Sequence, residues 1–448
     1  MRFLLIACLL WTAPVLLGMV ADGPSSGKAS AAQKKPEKRR VAPLKERTYK
    51  SIAEAQLLID PSSVPVEEGK ERPVIAADPR AAVGILLKLL ERRGLNAYEI
   101  AQIWNTLAFA YYTLDDMPNT LKSYENVLRQ PQDQISIALE LASLRALFQL
   151  YYADEEYRKS ISYITRWEAL NATADAGVAF IKATAYYQLD EFRESLEENK
   201  RVERIVDSQG KKMKENWLYL YVVLYDELKD IDNVIVVLER LILEYPKKQY
   251  WMHLAGMYAE KEWEDKALSA YYAVYLQDMF YKETEVVMLS QRLLNAEVPF
   301  EAARILEKGF ASGMIKESEK NIRLLASAYT MAQEYSKAIE SWRDATKYAE
   351  DGEIYYRLAQ ALASEDRHKE AAKAYRDAIK AGDLKSSEDV SFWLGISLMQ
   401  TQDCDDAIKA FRAAAKDKKR SKSARSYIRY IASEKKRLAA LREMLEAD

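Results

Sequence analysis

The side chains that could perform chemistry in this chain are few and widely separated. Neither His253 nor His368 belongs to a metal-binding spacing such as HExxH. Asp403, Asp405 and Asp406 form an acidic cluster, but it lacks the glycine of a calcium-binding loop. No phosphate-binding loop, dinucleotide fingerprint or GxSxG elbow is present. The sequence therefore predicts a non-enzymatic protein with no metal and no cofactor. A hydrolase that assembles carboxylates from distant segments is the alternative.

The charge balance argues against a nucleic-acid partner. The chain carries 66 basic and 68 acidic residues. Two basic runs stand out, KKPEKRR at 34–40 and KDKKRSKSAR at 416–425. Neither run is interleaved with aromatic residues on which bases could stack. We interpret them as a solvated linker and a solvated helix end.

The first residues have the pattern of a secretory signal. One Arg precedes a long apolar run, and a small-x-small motif ends at Ala31. The sequence predicts cleavage after Ala31 or, less typically, after Ala21. An inner-membrane anchor through residues 3–21 is the alternative.

Cysteine usage is consistent with export to a bacterial periplasm. After removal of the signal, Cys404 is the only cysteine left, so no intramolecular disulfide is possible. We expect the mature protein to be periplasmic and close to the membrane but not integral to it.

The distribution of proline indicates a helical body. Eight of the 12 prolines lie in the first 79 residues, which leaves long stretches free of helix breakers. Within these stretches a skeleton of small and aromatic residues recurs, as in LASAYTMAQEYSKAIESWRDA at 325–345. The spacing is typical of tetratricopeptide (TPR) repeats, paired antiparallel helices of about 34 residues. Lys182 and Ser290 fit less well, because each occupies a position for a large apolar residue. The predicted repeats start near residues 101, 141, 176, 215, 248, 284, 319, 352 and 388.

The sequence thus predicts an all-α fold, a right-handed TPR superhelix (α-solenoid) of about nine to ten helix-turn-helix repeats. A solenoid needs capping elements, because an end repeat cannot bury both of its faces. The predicted segments are a signal peptide at 1–31, a flexible basic linker at 32–45, an atypical first unit with a Pro-rich insertion at 46–94, the TPR array at 95–420 and a capping helix at 421–448.

The first helix of each TPR unit places four of its positions on an inner groove. Rings, amides and guanidinium groups there suit an extended peptide or a partner helix. The alternative for each residue is that it packs against neighbouring helices. The candidate partner-binding residues are Asn105, Phe109, Tyr112, Arg145, Gln149, Tyr152, Tyr187, Asn216, Tyr219, Lys247, Lys248, Gln249, Arg292, Asn295, Arg323, Tyr356 and Gln360.

Several phrases go beyond the general repeat pattern. Together they resemble the proteobacterial TPR proteins described as components of the TonB system, encoded beside ExbB, ExbD and TonB homologues. The resemblance covers about residues 46 to 420 and rests on the phrases at 96–112, 211–230, 245–260, 298–316 and 351–362.

This resemblance implies a non-catalytic periplasmic scaffold that assists TonB-dependent energy transduction to outer-membrane transport, such as iron-siderophore uptake. The implied partners are TonB, ExbB, ExbD or a TonB-dependent receptor. The alternative function is a periplasmic TPR adaptor for outer-membrane or cell-wall assembly. The resemblance implies no catalytic residues.

Overall fold

The predicted all-α fold is confirmed. The computed structural model describes residues 39, 41–63, 76–348 and 351–447, and this part of the chain contains 21 α-helices and no strand. The predicted signal peptide, most of the predicted linker and the middle of the Pro-rich insertion lie outside the described residues.

The chain divides into two compact units, with the boundary between Lys212 and Met213. In each unit, consecutive helices pack against each other as antiparallel pairs, and successive pairs stack side by side. The helices of the first unit are α1 (Glu46–Ile59), α2 (Pro79–Leu90), α3 (Ala97–Thr113), α4 (Met117–Leu128), α5 (Ile137–Ala153), α6 (Tyr157–Leu170), α7 (Ala176–Gln188) and α8 (Phe192–Ser208).

The second unit contains the remaining helices and ends in the longest of those described. They are α9 (Glu215–Glu227), α10 (Ile231–Glu244), α11 (Lys248–Glu260), α12 (Glu264–Leu276), α13 (Glu283–Asn295), α14 (Pro299–Ala311), α15 (Glu319–Met331), α16 (Tyr335–Ala345), α17 (Gly352–Ser364), α18 (His368–Ala381), α19 (Ser387–Gln400), α20 (Cys404–Ala414) and α21 (Lys418–Ala447).

From α3 to α19, the first helices of successive pairs begin 33 to 40 residues apart. Most begin within one residue of the predicted repeat starts, but α3 and α5 begin four residues earlier, at Ala97 and Ile137. Capping explains the difference. Asn96 and Glu99 form a capping box at the start of α3, and the Ser136 side chain accepts from Leu139 N–H at the start of α5.

The turn inside each of these pairs has the same backbone conformation. In all nine turns from α3–α4 to α19–α20, one non-glycine residue has a φ between 56° and 62°. In the α15–α16 turn this residue is Gln333, and the next backbone N–H, that of Glu334, donates to Tyr329 O at 3.0 Å. The left-handed residue thus closes the first helix and reverses the chain in a short turn.

Gln333 provides a direct test of this turn. A residue with a Cβ atom is destabilised by about 1–2 kcal/mol in the left-handed region, and glycine avoids this cost. Glycine, however, loses about 0.5–1 kcal/mol more conformational entropy on folding. We expect Gln333→Gly to raise the free energy of unfolding by roughly 0.5 kcal/mol. The β-branched Gln333→Val should lower it by about 1 kcal/mol. Urea unfolding of both variants checks this order, and equal midpoints would contradict it.

Part of the predicted flexible linker, residues 32–45, is docked against the first unit. Arg39 Nη1 donates to the carboxylate of Glu140 at 2.6 Å, and the two side chains are 11% and 2% exposed. Lys45 Nζ donates to Gly94 O at 2.6 Å. These bonds place Arg39 and Lys45 against the first unit, where Arg166 Nη2 also donates to Glu140 at 2.6 Å. The flexibility of the linker stays a prediction.

Candidate functional site

The predicted binding residues lie on first helices in both units, and Lys247 is the N-cap residue of α11. We call the surface that these positions form within each unit the first-helix face. In the first unit it carries Asn105, Phe109 and Tyr112 on α3, Arg145, Gln149 and Tyr152 on α5, and Tyr187 on α7. In the second unit it carries Asn216 and Tyr219 on α9, Lys248 and Gln249 on α11, Arg292 and Asn295 on α13, Arg323 on α15, and Tyr356 and Gln360 on α17.

Seven of the 17 predicted residues are exposed, and the others are half-buried. The exposed residues are Tyr112, Arg145, Gln149, Asn216, Lys247, Gln249 and Asn295. The half-buried residues include several with a packing role. Phe109 packs against the core cluster of the first pairs, and Tyr152 makes an edge contact with Tyr157 at 5.3 Å. These two residues match the alternative interpretation, in which a groove position packs against neighbouring helices.

The structure brings three predicted residues together in the second unit. Asn216, Tyr219 and Gln249 line an open depression of about 330 Å³ with Glu215 and Tyr250. The tyrosine rings of Tyr219 and Tyr250 lie 5.9 Å apart and form its apolar wall. Asn216 and Gln249 are exposed amides at this depression. The Gln249 side chain also bonds to Tyr250, but an amide has several donor and acceptor positions, so both residues can hydrogen-bond a partner.

Glu215 fixes the shape of this depression. It accepts hydrogen bonds from Lys247 Nζ at 2.7 Å and from Tyr250 Oη at 2.5 Å. These two bonds lower the pKa of the Glu215 carboxyl below its usual value, although burial opposes the shift. Glu215 therefore stays ionised and ties α9 to α11, which positions Asn216 against Gln249.

The predicted binding lysines are held in ion pairs between neighbouring first helices. Lys247 bonds to Glu215 of α9, and Lys248 Nζ bonds to Glu285 of α13 at 2.5 Å. Similar polar bonds connect the later first helices. They are Asn321 to Glu283 at 2.6 Å, Arg323 to Asp351 at 3.5 Å and Tyr356 to Asp389 at 3.1 Å. We call this series the inter-helix ladder. Within it, the two lysines, Arg323 and Tyr356 have structural partners.

Lys248 is the most enclosed cation of the ladder, with a side-chain exposure of 26%. Its ammonium lies 5.4 Å from the Phe280 ring and 5.2 Å from the Tyr281 ring. Burial alone would raise the pKa of Glu285. Hydrogen bonds from Lys248 and from the N–H groups of Tyr281 and Lys282 outweigh burial, so the pKa of Glu285 is lowered. The ionised pair stabilises the α11–α13 contact.

Lys248→Met should reveal this pairing through its pH dependence. At about pH 7 we expect a loss of about 1 kcal/mol of unfolding free energy, the range of a partly exposed ion pair. Because the pKa of Glu285 is lowered by folding, the pair contributes fully above the unfolded pKa of Glu285 and is lost as the pH falls through the folded one. The difference between wild type and variant should therefore shrink in urea titrations as the pH is lowered from about 7 towards about 3.

Lys320→Met on α15 is the matched control for this measurement. Lys320 is exposed and makes no ion pair within the described part of the chain. We expect no stability change at either pH. A Lys248→Met deficit that is the same at pH 7 and pH 3 would show that packing, and not the charge of Glu285, accounts for it.

The remaining predicted cations also have structural contacts. Arg145 Nη2 bonds to Asp175, the N-cap of α7, at 3.0 Å, and its guanidinium lies 5.2 Å from the Trp167 ring. The Arg292 guanidinium lies 4.5 Å from the Tyr271 ring. Both side chains connect neighbouring helix pairs, so each would contact a partner from a fixed position.

The repeat pattern does not predict a set of tyrosine–glutamate bonds that connects neighbouring helix pairs. Near the end of several first helices, a tyrosine hydroxyl donates to a glutamate on the second helix of the preceding pair. These bonds are Tyr151 to Glu125 at 2.7 Å and Tyr258 to Glu239 at 2.7 Å. Burial and the glutamate raise the pKa of Tyr258 to about 12, so the hydroxyl remains a donor at neutral pH. The sequence signal was available, because the tyrosine recurs at the eleventh repeat position.

The described residues contain neither a metal-binding cluster nor a membrane-spanning helix. No group of three or more His, Cys, Asp or Glu side chains among them is arranged to hold a metal ion. None of the helices in the described ranges is both long and apolar enough to span a bilayer.

Comparison with known proteins adds little beyond the fold. No protein-family model matches the sequence, and no curated protein matches it significantly. Solved structures that match include MamA, with 21% identity over 40% of this chain and 94% of that chain and a TM-score of 0.33. YrrB, described as a TPR protein with an unusual peptide-binding site, matches with 16% identity over 42% of this chain and 97% of that chain and a TM-score of 0.34.

The TPR2AB domain of yeast Sti1, solved in a complex with pHSP90, covers 65% of this chain and 98% of that chain at 16% identity, with a TM-score of 0.28. At these identities and TM-scores the matches carry no argument about function. The repeated helix pairs and their shared turn geometry define the chain as a TPR-type helical-repeat protein.

Proposed function

We propose that this chain is a non-catalytic periplasmic scaffold that binds a protein component of the TonB system. The observation that carries the proposal of protein binding is the depression formed by Asn216, Tyr219 and Gln249 on the first-helix face. It combines tyrosine rings with exposed amides on rigid helices, the combination that recognises extended peptides.

The sequence supports the proposed TonB partner and the periplasmic location. The resemblance to TonB-associated TPR proteins includes both segments that form the depression, residues 211–230 and 245–260. An exported chain with a single mature cysteine is consistent with a periplasmic location. The partner would be TonB, ExbB, ExbD or a TonB-dependent receptor, engaged during transport of substrates such as iron-siderophore complexes.

The experiment is a pull-down from an envelope extract followed by a binding titration with the partner recovered. We expect recovery of TonB, ExbB, ExbD or a TonB-dependent receptor. The double variant Asn216→Ala/Gln249→Ala should weaken binding about tenfold, because each lost hydrogen bond contributes about 0.5–1.5 kcal/mol. Neither residue makes a ladder bond, so the fold should be unaffected.

Gln277→Ala is the matched control, since it removes an exposed amide at the end of the second helix α12. It should bind as the wild type does. Recovery of peptidoglycan or β-barrel assembly components instead would favour an adaptor for envelope assembly and contradict the TonB assignment. Unchanged affinity in the double variant would show that the depression is not the binding site.

A further inference from the structure

The C-terminal helix α21 concentrates positive charge in a chain whose overall charge is nearly balanced. From Lys418 to Leu441 it carries nine basic residues and one acidic residue, Glu434. Over the whole chain, basic and acidic residues number 66 and 68. Such local concentration creates a strong positive potential on one element of the surface.

Five of these cations lie on one line along the helix. Lys418, Lys422, Arg425, Arg429 and Lys436 follow one another at intervals of four, three, four and seven residues. At about 100° per residue these positions fall within a sector of about 60°, and they extend over about 27 Å of helix. We call this line the cationic stripe.

The stripe is free to meet a partner. All five side chains are exposed. In the described part of the chain, the ion pairs of α21 are made by Arg420 with Asp389, Lys435 with Asp405, and Arg437 with Glu434. None of the five stripe residues takes part in an ion pair there. Their charges are therefore uncompensated by protein, unlike those of the inter-helix ladder.

From Ala424 to Ile431, the side of α21 opposite the stripe packs against the protein core. Ala424 and Ile431 are 0% and 2% exposed, and the Tyr427 ring stacks on Phe411 at 5.1 Å. The buried side fixes the helix against α19 and α20, so the stripe points outward from a rigid support. This cover extends to Ile431, whereas Leu438 and Leu441 further along the same side are 46% and 47% exposed.

We propose that the cationic stripe binds the headgroups of an anionic lipid bilayer. A flat anionic surface can contact all five cations at once along a straight line of about 27 Å. A protein interface would instead need apolar or aromatic anchors at its centre, and lysine is depleted there. A single-stranded nucleic acid would need aromatic platforms between the cations. The residues beside the stripe are small, such as Ser426, Ala432 and Ser433.

Binding through the cationic stripe would set the orientation of the second unit on the membrane. The end of the second unit would lie against the membrane through α21, while the first-helix face remains a separate surface for a protein partner. The attachment would be electrostatic and reversible, because no apolar side chain of the stripe enters the bilayer. This attachment does not depend on the proposed TonB role.

The test is sedimentation of the full chain with phosphatidylglycerol/phosphatidylcholine vesicles, compared with pure phosphatidylcholine vesicles. The ratio of the two partition coefficients isolates the anionic contribution, because the apolar run at residues 3–21 acts on both. Each basic residue near an anionic surface contributes about a fivefold factor in binding. The triple variant Lys422→Glu/Arg425→Glu/Arg429→Glu should therefore lower the ratio at least about 100-fold.

The matched control is Lys320→Glu/Lys369→Glu/Lys373→Glu. It makes the same change in net charge at exposed lysines on α15 and α18. This control should retain most of the ratio, and circular dichroism should show both variants folded. Raising the salt to about 1 M, where the Debye length is about 3 Å, should abolish the wild-type preference.

Three results would overturn the proposal. The wild type could show no preference for anionic vesicles, or the stripe variant could retain the preference. The third is stripe-dependent binding of duplex DNA or of an acidic protein in the absence of any vesicle preference. All three leave the proposed protein partner of the first-helix face unaffected.

Discussion

Lys182→Ala is expected to lower the free energy of unfolding by about 3 kcal/mol or more, the usual cost of removing one partner from a buried ion pair. Lys182 is 9% exposed in the middle of α7. Its ammonium lies 3.4 Å from Glu168 on α6 and 2.9 Å from Glu198 on α8. Without it, two glutamates that are only 14% and 17% exposed face each other between α6 and α8.

The remaining cation cannot compensate for the loss. Arg201 Nη1 already bonds to both glutamates, at 2.7 Å to Glu168 and 3.1 Å to Glu198. Burial disfavours the charge of Lys182, yet the bonds and charges of Glu198 and Glu168 outweigh it and raise its pKa. The four charges therefore form one balanced network, and removing a single cation leaves a net negative charge in a low-dielectric site.

Urea unfolding at neutral pH measures this effect, with Lys50→Ala as the matched control in the same unit. Lys50 pairs with Glu46 one turn away, and the side chains are 73% and 80% exposed. Such a pair contributes at most about 0.5 kcal/mol. A Lys182→Ala loss as small as that of Lys50→Ala would show that the network is hydrated and does not stabilise the fold.

The same residue shows what could be predicted from the sequence. The spacing of small and aromatic residues gave the repeat starts, because close helix packing restricts those positions to a few residue types. Lys182 occupies a position for a large apolar residue, so the repeat pattern fits it only weakly. The structure shows instead that the repeat keeps its geometry by pairing the lysine with glutamates from two other helices. Such a partner set depends on contacts between helices that no single repeat encodes.

The candidate site was predicted less completely than the fold, for the same reason. Position within a repeat correctly placed Asn216, Tyr219 and Gln249 on neighbouring first helices, where they line one depression. It could not show that Lys247 and Lys248 are bound to carboxylates on the preceding and following first helices. Charge pairing across repeats requires the register of neighbouring helices, and sequence spacing alone leaves that register undetermined.

The second large expected effect on stability concerns Gly395, a small residue where α19 crosses α20. Gly395 on α19 faces the ring of Phe411 on α20, and a Cβ atom added at Gly395 would lie 2.8 Å from Phe411 Cε1. Phe411 is 0% exposed and packs against the rings of Phe392 and Tyr427 at 5.6 Å and 5.1 Å. Its ring is thus held from several sides and cannot move away. We expect Gly395→Ala to lower the free energy of unfolding by about 1–3 kcal/mol through overpacking.

Whether Gly395→Ala lowers or raises the free energy of unfolding should depend on Phe411. Phe411→Ala alone should cost about 3–5 kcal/mol, because it removes a fully buried ring and leaves a cavity. In that background the Cβ of Gly395→Ala enters the vacated space, and alanine is favoured over glycine inside a helix by about 1 kcal/mol. Gly395→Ala should therefore become stabilising.

A double-mutant cycle measured by urea unfolding tests this reversal, with Gly256→Ala as the control. Gly256 lies on α11, and a Cβ there would have no other atom within 4 Å, so alanine should stabilise the protein in either background. The coupling energy between Gly395 and Phe411 should be about 2–4 kcal/mol, the difference between a loss of about 1–3 kcal/mol with Phe411 and a gain of about 1 kcal/mol without it. Simple additivity would mean that α19 and α20 can separate slightly at no cost, but Phe411 is fully buried and packed against the rings of Phe392 and Tyr427, which argues against this.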